Sequence, residues 1–197
     1  MVRTTNSGTA ISEIGVKHQS CGADLQRIHT AGAPMLVVGV DPGTIRMGVG
    51  GVLSDEGNLT LAYSELLSPP RSAPLSDRLE WLHDRMNRAL EELRPSFLAI
   101  EQPFVARNVK AALAVGQAQA VAMIAAARLE IPVAGYSPSE VKKAVTDYGG
   151  SSKEQVQQMV SVLLGIDYVL EPSDRADALA VAICHINRSR ELEIANG

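Results

Sequence analysis

The run MLVVGVDPGTIRMGVGGVLSDEG, from Met35 to Gly57, constrains the fold more than any other stretch of the chain. An apolar block ends in a carboxylate, passes through Pro42 and Gly43, and becomes apolar again at once. Two such blocks joined by a short polar turn read as neighbouring strands of a buried sheet. Pro42 and Gly43 suit the two central positions of a type II turn, and Asp41 is a common residue to open one, so a plain hairpin accounts for the stretch taken alone. A chemical role for Asp41 requires carboxylates from elsewhere.

Beyond Gly57 the strand pattern continues in LTLAYSELL, which completes a three-stranded antiparallel meander. Leu75, Leu79, Leu82, Met86, Leu90 and Leu93 then recur at the spacing of one buried helical face, with Trp81 beside it as a core residue. FLAIE is a short buried strand ending at Glu101, and an Ala-rich helix follows from Ala106 to Leu129. IPVAGY reads as a fifth strand, two helices flank DYGGSS, and a last helix opens near PSDRADALAVAICHI. This order predicts an α/β fold: a five-stranded mixed sheet, antiparallel meander plus parallel strands, with helices on both faces.

At 197 residues and 46% hydrophobic content, one domain with a substantial core is expected. Residues 1–34, rich in Ser, Thr and Gly and without a period, read as a disordered N-terminal extension; 35–190 form the domain and 191–197 a short C-terminal tail. No apolar run approaches the roughly 18 to 20 residues of a membrane span, and the N-terminus lacks the uninterrupted apolar stretch of a secretory signal, so neither is expected. Cys21 and Cys184 provide neither a disulfide framework nor metal-ligand spacing, so a reducing, cytoplasmic setting is expected. A formal net charge of -4 argues against nucleic acid unless basic residues cluster locally.

Four carboxylates answer the question raised by Asp41. A right-handed crossover that lays the FLAIE strand parallel to the first strand brings Asp41 and Glu101 out at the same sheet edge, where α/β folds place their sites. Asp174 and Asp177, three residues apart, share one face at the start of the last helix. Capping by Ser173 or Asp174, and the preference of acidic residues for the positive end of a helix, explain that pair equally well. Together the four form an all-oxygen set suited to Mg²⁺ or Mn²⁺, and two such cations equip a site for in-line phosphoryl displacement. His185, further along the same helix, reads as structural or solvated.

The segments GVDPGTIRMGVG, AIEQPFVARNVKAALAVGQAQAVAM, YSPSEVKKAVTDYGGSSKEQVQQMV and DRADALAVAICH, in this order and spacing, resemble the RuvC Holliday-junction resolvases of the ribonuclease H-like superfamily. The resemblance runs from about Leu36 to Arg190. It implies that Asp41, Glu101, Asp174 and Asp177 are the catalytic, metal-binding carboxylates of a Mg²⁺-dependent endodeoxyribonuclease, with two cations per site and Mn²⁺ as a substitute. It implies that Phe104 stands near the junction crossover and that Lys142 and Lys153 lie near the scissile phosphate. By their own chemistry, Phe104 is either a base-stacking group or a core-edge aromatic, and Lys142, Lys143 and Lys153 either offset phosphate charge or mark a solvated face. Arg107 and Lys110 extend the same basic track.

The activity implied is resolution of four-way DNA junctions by paired symmetric nicks in homologous recombination and repair. The implied partners are junction DNA, a second copy of the chain in a homodimer, and the RuvA and RuvB branch-migration proteins; the small residues of the Ala-rich helix allow either packing on the sheet or a dimer contact. Two alternatives remain. One is a related ribonuclease H-like nuclease acting on another nucleic-acid structure, since fold alone does not choose the substrate. The other is an actin-like ATPase or sugar kinase, since DPGT and DYGGSS imitate the two phosphate loops of those enzymes. Against it stand the chain length, short of two lobes, and EVKKAV before Asp147, which reads as helix rather than strand.

Overall fold

The computed structural model describes residues 33–102 and 109–196. Strand β1 (Met35–Asp41) runs antiparallel to β2 (Met47–Asp55), which pairs antiparallel with β3 (Asn58–Leu67). On its other side β1 lies parallel to β4 (Phe97–Glu101), and β4 parallel to β5 (Val133–Tyr136), in the order β3-β2-β1-β4-β5. The mixed five-stranded sheet therefore stands as expected. The β1–β2 hairpin also forms, but Gly43 does not adopt the positive φ that a type II turn requires, so the connection is a wider loop. Hairpin and site are compatible readings of the same residues.

Helices cover both faces. Leu82, Met86 and Leu90 of α1 (Leu75–Leu93) are fully buried with Val38, Val40, Leu98 and Ile100 on one face of the sheet. Trp81 packs at the margin of this core, whereas Leu75, in the first turn, is exposed. Helix α2 (Val109–Arg128) joins that face through Ala118, Val121, Ala122, Ala125 and Ala126. Among the described residues α2 is one helix long and apolar enough to cross a membrane, which corrects the sequence reading; its alanines carry enough hydropathy to make up such a window.

The other face carries α3 (Pro138–Thr146), α4 (Lys153–Leu163) and α5 (Ser173–Asn196). The segment before Asp147 is helical, which removes the strand that a second phosphate loop would need. From Ala178 to Ile186 α5 is buried on all sides, between the sheet and the pair α3 and α4, as an all-round apolar helix must be. It continues to Asn196, so residues 191–196 extend the helix beyond the expected domain edge at 190. The expected N-terminal extension lies outside the described residues apart from Ala33 and Pro34.

The depth of α5 has a specific cause. Successive strand residues face opposite sides of the sheet, so Gly39 on β1 and Gly48 and Gly50 on β2 fall on the α5 side, between core residues of the other face. A methyl group at Gly39 would collide with the Ala178 carbonyl, one at Gly48 with the Asp174 carbonyl, and one at Gly50 with Leu179. The three glycines let the helix backbone lie directly on the strands.

Candidate active site

Period two also sets the site. Val37 and Gly39 face α5 while Val38 and Val40 face α1 and α2, so Asp41 returns to the α5 side at the end of β1. The same alternation along Phe97, Leu98, Ala99 and Ile100 turns Glu101 to that side. The register Val40↔Ile100 places both carboxylates at one edge, as the crossover argument required. The Gln119 side chain donates to the Glu101 carbonyl at 3.2 Å and ties the end of β4 to α2. Because α5 starts over Gly48, its first turns bring Asp177 to the same cavity and leave Asp174 beside it, outside the lining.

Asp41, Glu101 and Asp177 line a cavity of about 240 Å³ together with Lys142 and Lys153, over apolar walls that include Val141, Val156 and Ala180. Each lysine is aimed by a capped helix. Ser137 and Glu140 form a capping box at α3, and Ser152 and Gln155 form another at α4. Lys142 Nζ donates to the Ser151 carbonyl at 2.8 Å, and Thr146 Oγ1 meets Ser151 Oγ at 2.7 Å, which ties the loop between the helices to α3. Lys153 is the first residue of α4, where the helix dipole disfavours a cation. Its Nζ compensates by pairing with Asp177 Oδ2 at 2.6 Å.

The electrostatics follow from burial among like charges. The Asp41 carboxyl is pushed up to about 7, first by burial and then by the carboxylates of Asp177, Glu101 and Asp174, against the opposing pull of Lys153. Burial, then Asp177, also raises Glu101; burial raises Asp177 in spite of its bond to Lys153. For Lys153 burial pulls downward, and the hydrogen bond and charge of Asp177, with Asp41 and Asp174, outweigh it and hold the ammonium above its ordinary value. Three carboxyls raised in one cavity form a site short of positive charge.

Asp174 stands at the rim. Its Oδ2 accepts from the Arg46 guanidinium at 2.5 Å, a contact that sequence reasoning missed because the partners are 128 positions apart. The position of Arg46 in the loop directly after Asp41 was the available signal. Among the described residues no three acidic, His or Cys side chains are arranged as a ready-made metal cage, and the two helix carboxylates are turned to Lys153 and Arg46. The donor chemistry nonetheless fits a hard cation: oxygen ligands only, buried, mutually repelling, and open to one cavity.

The other expected contacts divide. Lys143 lines a separate cavity of about 500 Å³ between α3 and the far part of α5, beside Glu140, Asp147, Arg188 and Glu191. Lys110 is exposed at the start of α2, and Phe104 and Arg107 lie outside the described residues. His185 is structural, as expected: it is buried, bonded to the Tyr136 hydroxyl through Nδ1 at 2.7 Å, and packed on Phe97 with ring centroids 4.5 Å apart. Burial pushes the Cys184 thiol up to about 12.

A mixed sheet whose strand-end carboxylates Asp41 and Glu101 meet Asp177 of a helix laid across it is, with the likenesses that follow, the architecture of a ribonuclease H-like nuclease. The family model described as "Crossover junction endodeoxyribonuclease RuvC" matches residues 37–185, and the chain belongs to the RuvC family. Proteins of that name from Dehalococcoides mccartyi (strain BAV1) and Chloroflexus aggregans are 44% and 46% identical over 151 residues, covering 77% of this chain and 90% and 92% of theirs. Thermus thermophilus RuvC superimposes with a TM-score of 0.75 at 33% identity, over 80% of this chain and 96% of that one. The same protein in complex with Holliday junction substrate gives 0.75 at 34%, with the same coverage. The yeast mitochondrial Holliday junction resolvase, at a TM-score of 0.58 and 14% identity over 80% of this chain and 82% of that one, shares the fold.

Proposed function

We propose that this chain is an endodeoxyribonuclease that resolves four-way (Holliday) DNA junctions in recombination and repair by cutting two like strands symmetrically. The observation that carries this reading is the convergence of Asp41, Glu101 and Asp177 on one cavity with Lys142 and Lys153. The likeness to a RuvC solved with its junction substrate supports the choice of DNA.

Asp41, Glu101 and Asp177, with Asp174 beside them, would hold the divalent cations. Two Mg²⁺ ions held there, or Mn²⁺ in their place, would supply Lewis-acid activation of a water and neutralisation of charge on a leaving 3′-oxygen. The protein's part is to hold oxygen donors in a buried place where cation binding relieves their repulsion. Lys142 and Lys153 offset the charge of the phosphate that enters the cavity. Phe104 stacks on an unpaired base near the crossover, a contact worth about 1–3 kcal/mol. Arg107 and Lys110, in the segment that follows, carry the basic track onward.

Dimerisation gives the reaction its symmetry, since a C2 pair presents one site to each of two like strands. Val109, Leu113, Ala120 and Ile124 form an exposed apolar stripe along α2, opposite the alanines that face the sheet, and this stripe is the proposed contact. The working unit is the domain 35–190, acting in the cytoplasm with the RuvA and RuvB proteins. The test is a synthetic junction incubated with Mg²⁺ and either the parent or Asp177→Asn. The variant is expected to bind the junction in a gel shift and to lose nicking; nicking at the parental rate would overturn the assignment.

A further inference from the structure

The loop between β1 and β2 carries a cation for which the reaction described above has no use. Arg46 is 41% exposed and grips Asp174, which is 20% exposed, through a single contact of 2.5 Å. Lys153 grips Asp177 at 2.6 Å. The two carboxylates of α5 thus each hold a cation of the protein, whereas Asp41 and Glu101 face the cavity with no ion pair among the described residues. Lys153 lines the cavity, whereas neither Arg46 nor Asp174 does.

On the two-cation reading, we propose that Arg46 is a positioning residue that holds Asp174 in the metal-free protein and yields it to an incoming divalent ion. Uptake at this carboxylate is then an exchange of one cation for another rather than a simple addition. The exposure of the pair makes the exchange feasible: a half-exposed ion pair is weak, where a buried one would resist separation. The guanidinium that is released sits on the loop directly after Asp41, and its planar donors match a phosphate oxygen pair. Metal loading would therefore arm a phosphate contact at the moment the site becomes competent.

The test is Mn²⁺ binding by calorimetry, with the full chain and no DNA. Arg46→Ala is expected to bind Mn²⁺ about 1.5- to 5-fold more tightly than the parent, the factor an exposed ion pair is worth. Arg46→Lys should stay near the parent. In an Asp174→Asn background the gain from Arg46→Ala should vanish, because the pair no longer exists to be broken. Melting curves establish that each variant is folded. Equal or weaker Mn²⁺ binding by Arg46→Ala overturns the exchange and leaves the metal site standing. Absence of Mn²⁺ uptake by the parent and every variant removes the two-cation reading and the exchange with it.

Discussion

Asp41 is held in conflict, because burial and three neighbouring carboxylates push its pKa from 3.8 up to about 7. The folded state then binds this proton more tightly than the unfolded chain does. Its contribution to stability is fully present below about pH 4 and is lost as the pH rises through about 7, by an amount on the order of 4 kcal/mol for the isolated group. In EDTA the melting temperature should fall between about pH 5 and pH 8, Asp41→Asn should flatten that slope, and Mg²⁺ should restore stability at the upper end. A parental slope in EDTA equal to that of Asp41→Asn would contradict this. The same variant should still bind junction DNA and lose cleavage by roughly 100-fold or more, the scale of one lost transition-state contact. Asp41 and Glu101 were legible in the chain because each ends an apolar block with a fixed period. Arg46 was not, because its partner is remote in sequence. Lys142 and Lys143 were separable in principle: Val141 and Val145 define the buried face of α3, and each further residue turns about 100° away from it.

At the scale of elements, α5 is docked by the absence of side chains. Gly48→Ala forces a methyl group against the Asp174 carbonyl, so the first turn of α5 must lift from β2. A loss of about 1–3 kcal/mol in urea denaturation is expected, with weaker cleavage because Asp174 and Asp177 move with that turn. Gly116→Ala, where an added methyl group meets nothing within 4 Å in the middle of α2, should instead stabilise by about 0.5–1 kcal/mol. The opposite signs separate close approach from backbone entropy. At α4, Ser152→Ala removes the cap that aims Lys153 and should cost about 1 kcal/mol. The elements themselves were readable from periodicity, down to the helical segment before Asp147. The glycines of GVGG read only as strand residues, because their purpose depends on which helix lies over them, and that is set by packing rather than by local pattern.

For the whole molecule, the acidic balance and a DNA substrate are reconciled by placement, since the carboxylates gather in a cavity shared with Lys142 and Lys153. The exposed stripe on α2 points to the proposed pairing of two copies. Ile124→Glu, at a residue 53% exposed, should leave the fold intact and shift the mass in sedimentation from dimer to monomer; an unchanged mass would place the dimer contact elsewhere. The most direct single measurement is strand-resolved cleavage of a synthetic four-way junction in Mg²⁺, each arm labelled separately, with linear duplex as control. Matched nicks in two like strands, with the duplex uncut, are expected; cutting of the duplex at the same rate, or no cutting of a bound junction, would contradict the assignment of this site to junction resolution.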